Sequence, residues 1–190
     1  VARWEPNPRM RLVRAAIDLF AEQGYDDTSV AQIAARAGLS KATFFRHFRD
    51  KREVLFAGQD DHSTLLAEGV ATAPAGATPL ELVAAALDTV TASFVDEQRT
   101  FGARLRQVVA SHDELVERDA FKRAGLAAAL GAALRERGVA DPQAGLAADL
   151  GVEAFHRGFG RWSDGEGTES FGALARAELD ALHAAAVALR

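Results

Sequence analysis

The run Ala37-Gly38-Leu39-Ser40 constrains this chain more than any other feature. Before it, Val30, Ile33, Ala34 and Ala37 recur at helical spacing behind Thr28 or Ser29, either of which can cap. After it, Lys41-Ala42-Thr43-Phe44-Phe45-Arg46-His47-Phe48 places Phe44 and Phe48 one turn apart. Gly38 closes the first helix and Ser40 caps the second. The connection is too short for the pair to run antiparallel, so the two helices cross steeply, as in a helix-turn-helix.

Burying Phe44 and Phe48 leaves Lys41, Ala42, Thr43, Phe45, Arg46 and His47 outward. Cations suit phosphates and guanine, and Thr or Ala suits a thymine methyl, so this face fits a major groove. A solvated helical corner is the bland alternative. Charge favours the first reading. The chain carries a net charge of −5, yet residues 1–56 hold 10 Lys+Arg against 7 Asp+Glu and the remainder holds 12 against 20. A polyanion partner is therefore expected at the N-terminal segment. Arg3, Arg9 and Arg11 lie close together there and leave room for a longer basic arm ahead of Val1.

Helical periodicity continues along the chain and nothing alternates like a strand. Leu12, Val13, Ala16, Ile17 and Phe20 form a first stripe ended by Gly24, and Asp50 with Glu53 reads as a capping box. Further helices are expected near 51–70, 79–96, 99–111, 114–137, 142–162 and 169–189. That gives an all-α fold of about nine helices: a three-helix helix-turn-helix domain over 1–50, then a helical domain over 51–190. The Ala/Thr/Pro/Gly stretch 71–79 is the strongest internal breaker. Asp141-Pro142 and Thr168-Glu169 read as helix starts, and the polar turn 163–167 joins two helices that should pack antiparallel.

Several classes are excluded or disfavoured. With no cysteine the chain has no disulfide, thiolate metal site or cysteine nucleophile. No apolar run is long enough to cross a bilayer, and Val1 to Met10 lacks the core of a signal peptide, so a cytoplasmic, membrane-free protein is expected. Glu153-x-x-His156 and Asp180-x-x-His183 each place a carboxylate and an imidazole one turn apart, the spacing of carboxylate-bridged di-metal bundles. The second pair has Asp, and helices 79–96 and 99–111 offer no inward Glu. No hydrolase elbow, phosphate-binding glycine loop or His-Glu-x-x-His is present. Neither an enzyme, a metal nor a cofactor is expected; a helical protein-interaction module without operator specificity is the other alternative.

The run Ala15 to Ala34, then Ala37 to Phe48, then Asp50-Lys51-Arg52-Glu53-Val54-Leu55 closely resembles the DNA-binding domain of TetR-family transcriptional regulators, over about residues 10–56. The resemblance implies a homodimer that reads a palindromic DNA operator, most often as a repressor, and a C-terminal domain whose small-molecule effector releases the DNA. It implies phosphate contact by Thr28 or Ser29. Ser40, Lys41, Ala42 and Thr43 would approach base edges or adjacent phosphates, and Phe45, Arg46 and His47 the backbone. The Lys51 amide would cap a phosphate. Two positions depart from the pattern: Phe45 stands where Tyr is common, and Arg49 stands where Pro is frequent and can restore a phosphate contact.

Inward stripes give an expected effector pocket that is largely apolar: Leu65, Leu66, Leu87, Val90, Phe94, Phe101, Leu105, Val108 and Phe121, with His62, Thr91 and His112 as its polar groups. A lone histidine on such a stripe is also an ordinary core residue. No Lys/Arg cluster lies there, so a multiply charged effector is disfavoured, with Arg104 available to one carboxylate from the rim. Dimerisation is expected on helices 142–162 and 169–189, through Gly151, Phe155, Gly158, Phe171, Leu174, Leu182 and Leu189, unless the glycines pack only within one chain.

Overall fold

A computed structural model describes residues 7–165 and 167–189, so Arg3 lies outside the described residues. Among them are nine α-helices and no strand: α1 (Pro8–Gln23), α2 (Val30–Arg36), α3 (Lys41–His47), α4 (Gln59–Thr72), α5 (Pro79–Thr91), α6 (Asp96–Ala110), α7 (Asp113–Glu136), α8 (Gln143–Asp164) and α9 (Phe171–Ala188). The all-α expectation holds. None of these helices is long and apolar enough to cross a membrane.

Capping residues set most boundaries. Ser29 and Gln32 form a reciprocal capping box on α2, Thr78 and Glu81 another on α5, and the hydroxyls of Ser40 and Ser170 accept from the third amides of α3 and α9. Hence α9 starts after Ser170 and not at Thr168. The expected single helix 51–70 is broken. Asp50 accepts from the amides of Arg52 and Glu53, which winds Glu53–Phe56 into a 3-10 turn, and Gly58 at φ 97° then redirects the chain into α4.

The chain forms two compact units. The first comprises residues up to Ala57 together with Arg104–Asp119; the second comprises Gly58–Ala103 and the residues from Ala120 onward. The sequence reading placed the boundary at residue 50 and had no reason to give 104–119 to the first unit. Three side-chain contacts within that unit supply the reason: Arg104 pairs with Asp18, Arg118 with Glu53 at 2.6 Å, and His112 lies on Tyr25 with its Nε2 3.2 Å from Asp26.

In the second unit α8 and α9 form the most extensive helix pair, with α5 against both. The core runs through Leu82, Val83, Leu87, Val90, Leu130, Leu134, Ala175 and Leu179, each nearly inaccessible. Gly158 permits the close approach of α8 to α9: a Cβ there would lie 2.7 Å from the Ala175 Cα. A Cβ at Gly151 would lie under 3 Å from the side chains of Val83 and Leu130. Both glycines therefore pack inside one chain.

One polar group sits in this core without a partner. The Nε2 of His156 is fully buried and has no hydrogen-bond partner among the described residues. Burial, then the charges of Arg123 and His62, push its pKa down to about 3, so the imidazole is neutral in the folded chain.

Two outcomes follow. Gly158→Ala should lower stability by about 1–3 kcal/mol because helix backbone must move, whereas Gly125→Ala, where a Cβ meets nothing within 4 Å, should be neutral or stabilising by up to about 1 kcal/mol. Thermal melts followed by circular dichroism separate them, and equal shifts would contradict the α8–α9 packing. For His156, the unfolded chain takes up a proton near 6.5 and the folded chain only near 3. Its contribution is thus intact above pH 6.5 and is lost as pH falls through that window. Urea titrations across this range should give a shallower acid slope for His156→Gln than for the parent chain; parallel slopes would refute the buried neutral state.

Candidate nucleic-acid interface and effector site

The first unit presents α3. Phe44 is wholly buried and Phe48 nearly so, their rings 5.6 Å apart, which fixes the rotation of this seven-residue helix. Gly38 takes φ 65° between α2 and α3, and Arg11 donates to the carbonyl of Ala37 at the end of α2. The residues left outward are Ser40, Lys41, Ala42, Phe45, Arg46, His47 and Arg49, with Thr43 half-buried. The Thr43 amide donates to the Ser40 hydroxyl that caps α3, and the Thr43 hydroxyl lies 2.9 Å from that of Ser40. Phe45 is 51% exposed and carries the Lys41 ammonium 6.0 Å above its ring. Phe45 thus sets an exposed aromatic ring among Lys41, Arg46 and His47.

One expected contact is differently placed. Thr28 is buried, its hydroxyl donating to the Gly24 carbonyl and accepting from Gln23, so it holds the turn before α2 while Ser29 remains exposed. The Lys51 side chain turns inward: its ammonium donates to the carbonyls of Tyr25 and Thr28 at 2.7 and 3.2 Å and lies 4.1 Å over the Tyr25 ring. Burial, then the charge of Glu114, push the Tyr25 phenol up to about 12. Burial also raises the Asp50 pKa, but hydrogen bonds from the Arg52 side chain and from the amides of Glu53 and Arg52 outweigh it and hold the carboxyl below its ordinary range. That carboxylate takes the donors of the 3-10 turn beside Lys51.

The effector residues divide between the units. In the second, His62, Leu66 and Val90 line one apolar void with Leu126, Gly151, Val152 and Phe155; it is too narrow to admit a water-sized sphere. Phe94 stands against His62 at 5.1 Å and joins Phe155, Phe159, Trp162 and Phe171 in an aromatic cluster. Leu87 is core, Leu65 packs beside it, and the Thr91 hydroxyl donates within its own helix to Leu87. Phe101 is half-buried and Phe121 is 67% exposed. Leu105, Val108 and His112 belong to the first unit, where His112 meets Tyr25 and Asp26, so the twelve residues do not converge. Arg104 pairs with Asp18 there and is not at the rim of the void.

A groove of about 430 Å³, missed in the sequence, opens between α5, α8 and α9. Phe94, Trp162 and Phe171 floor it and an Asp88–Arg176 ion pair crosses it. Aromatic residues spaced over three helices signalled a core and gave no hint that one side stays open.

The expected dimer residues also divide. Gly151, Phe155, Gly158, Phe171 and Leu174 are buried within the chain, Leu182 is partly buried, and Leu189 is 83% exposed. Those five are packed within the chain, and the exposed small residues of α9 are Ala173, Ala177, Ala181, Ala184 and Val187. The di-metal pattern is not assembled: Glu153 pairs with Arg157 at 2.6 Å, His183 is exposed, and among the described residues no group of three His, Cys, Asp or Glu is placed to hold a metal.

Comparison with known proteins agrees with this geometry. Residues 12–57 match the family described as "Bacterial regulatory proteins, tetR family". The HTH-type transcriptional regulator TcmR of Streptomyces glaucescens is 37% identical over 82 residues, 43% of this chain and 36% of that protein, so the match spans about a third of the relative. Among solved structures, a TetR-family regulator from Syntrophomonas wolfei superposes with a TM-score of 0.62 at 16% identity, covering 96% of each chain. FadR of Bacillus subtilis, in complex with stearoyl-CoA, gives a TM-score of 0.56 at 21% identity, covering 91% of this chain and 96% of that one. At those identities the structures establish a shared fold. With a helix-turn-helix that exposes a basic, aromatic-bearing α3 and a sequence match over that same segment, residues 12–57 are a DNA-binding domain of the tetR family of bacterial regulatory proteins.

Proposed function

We propose that this chain is a cytoplasmic repressor that binds a palindromic DNA operator as a homodimer and is released by a small, largely apolar effector. The observation that carries the DNA part is the anchoring of α3 by Phe44 and Phe48, which leaves Lys41, Ala42, Arg46 and His47 free. Such a helix lies in the major groove with its first residues at base edges, and two copies fit half-sites about 34 Å apart. Ser29 and Arg49, both exposed, are available to the phosphates on either side. The effector part is supported by the void at His62, Val90 and Phe155, by the aromatic cluster beside it, and by FadR, a protein of the same fold whose structure holds stearoyl-CoA. Because the void is closed to water, a ligand must enlarge it, and that enlargement is what shifts the population away from the operator-binding state.

The dimer reading moves from the buried glycines to the outer face of α9. Ala173, Ala177, Ala181, Ala184 and Val187 follow one another at three- and four-residue steps, and small side chains there allow a second helix to approach closely.

Operator selection from random DNA with the purified chain should yield a palindrome. Lys41→Ala and Thr43→Ala should each weaken its binding by roughly 1–3 kcal/mol, with helicity unchanged. Parent-like affinity in both, or binding that depends on salt but not on sequence, would refute base reading and favour a protein-interaction module. Ala177→Glu should convert a dimer to a monomer in sedimentation at micromolar concentration without altering the melting profile of the isolated chain. A parent chain that sediments as a monomer would refute the dimer.

A further inference from the structure

The groove between α5, α8 and α9 lies within the second unit, shares no lining residue with the void, and carries a charge imbalance. Among the described residues that line it, Asp88 of α5 and Asp96 at the start of α6 are acids, and Arg176 of α9 is the one cation. Asp88 already pairs with Arg176, and the charge of Asp180, one turn further along α9, also acts on that guanidinium. Asp96 is exposed and has no ion-pair partner among the described residues. Arg99, one turn beyond Asp96, donates instead to the carbonyls of Gly165 and Gly167. The lining therefore keeps one uncompensated negative charge, at Asp96.

The floor beneath these charges is aromatic. Phe171 stacks on Trp162 with ring centroids 5.5 Å apart, and Phe94 stands edge-on to them at 4.9 and 6.2 Å. Phe94 is the half-buried member of the three. The face of an aromatic ring is negative, so rings and carboxylates favour the same partner, a cation. A volume of about 430 Å³ is that of a site for a small organic molecule. A metal ion does not fit, since among the described residues no group of three His, Cys, Asp or Glu is placed to hold one.

We propose that this groove binds a small organic monocation with a flat aromatic body, its ammonium beside Asp96 and Asp88 and its ring against Phe94. This goes beyond the effector reading and does not rest on it. Arg176 then acts as an internal competitor, because its guanidinium holds the carboxylate of Asp88 that the ligand's ammonium must share. Removing that guanidinium should strengthen cation binding, whereas in a merely apolar groove it would not. Ala173 lines the groove and also belongs to the α9 face proposed for the dimer, so a second copy of the chain is the competing occupant.

The test compares 1-naphthylmethylammonium with 1-naphthylmethanol and 1-naphthoate, which keep the ring and change the charge. Binding to the full chain is followed by calorimetry at neutral pH. The ammonium should bind about fivefold or more tightly than the alcohol, and the carboxylate most weakly. In Asp96→Asn and Asp88→Asn the preference for the ammonium over the alcohol should fall below about twofold, and in Arg176→Gln the ammonium should bind about threefold more tightly than to the parent chain. An alcohol that binds as well as the ammonium, or an Arg176→Gln chain that binds the ammonium more weakly, would overturn the cation site. No saturable binding of the ammonium below about 10 mM would overturn it as well, as when a second copy covers the groove. The comparison of the three compounds on the parent chain decides the matter even if a variant fails to fold, and none of these outcomes bears on the void.

Discussion

A seven-residue helix has no stability of its own in water, since nucleation outweighs the few hydrogen bonds it gains. α3 exists because Phe44 is wholly buried and Phe48 almost so. The same burial decides its function, because with two aromatic anchors one turn apart only one rotation of the helix is possible. Lys41, Phe45, Arg46 and His47 are outward as a consequence. Each neighbouring device serves that placement: the Ser40 hydroxyl on the Thr43 amide, the left-handed Gly38, and Arg11 on the last carbonyl of α2.

This part of the molecule was legible in the sequence for a physical reason. Caps, glycine turns and i, i+4 aromatic pairs act over a few residues, so their signature is local. What escaped notice were the roles that depend on side-chain reach. Thr28 and Ser29 are equivalent as candidate caps, yet the chain turns at Gly24 so that Thr28 is sealed into the turn and Ser29 caps α2. For Lys51 the expectation concerned its amide alone, and nothing local in the sequence announces that its ammonium lies among the carbonyls of Tyr25 and Thr28.

The second unit was less legible. A glycine spaced seven residues from another reads equally well as an approach within the chain or between chains, and only the Ala175 backbone beside Gly158 decides the matter. Apolar stripes on α5, α6 and α7 suggested one pocket, but a stripe records which face is inward and not which neighbour it meets. α6 and α7 are each shared between the two units, so the stripe that begins at Phe101 ends at Val108 and His112 in the first unit. In the sequence His156 reads only as half of a possible metal pair; that its Nε2 is buried without a hydrogen-bond partner among the described residues is a property of tertiary packing.

Tyr25 shows what that sharing of α6 and α7 brings about. Its ring lies 5.2 Å from Phe20 of α1, 4.6 Å from His112 after the end of α6, and 4.1 Å from the Lys51 ammonium. Lys51 in turn holds the carbonyls of Tyr25 and Thr28, the residues that lead into the capping box of α2. The exposed Arg104–Asp18 pair adds little to this joint, since solvent screens it, whereas Arg118–Glu53 is better shielded. Tyr25 is thereby fixed by residues from three segments of the first unit, and this aromatic joint, rather than the surface ion pairs, holds residues 104–119 to the turn that sets the start of α2.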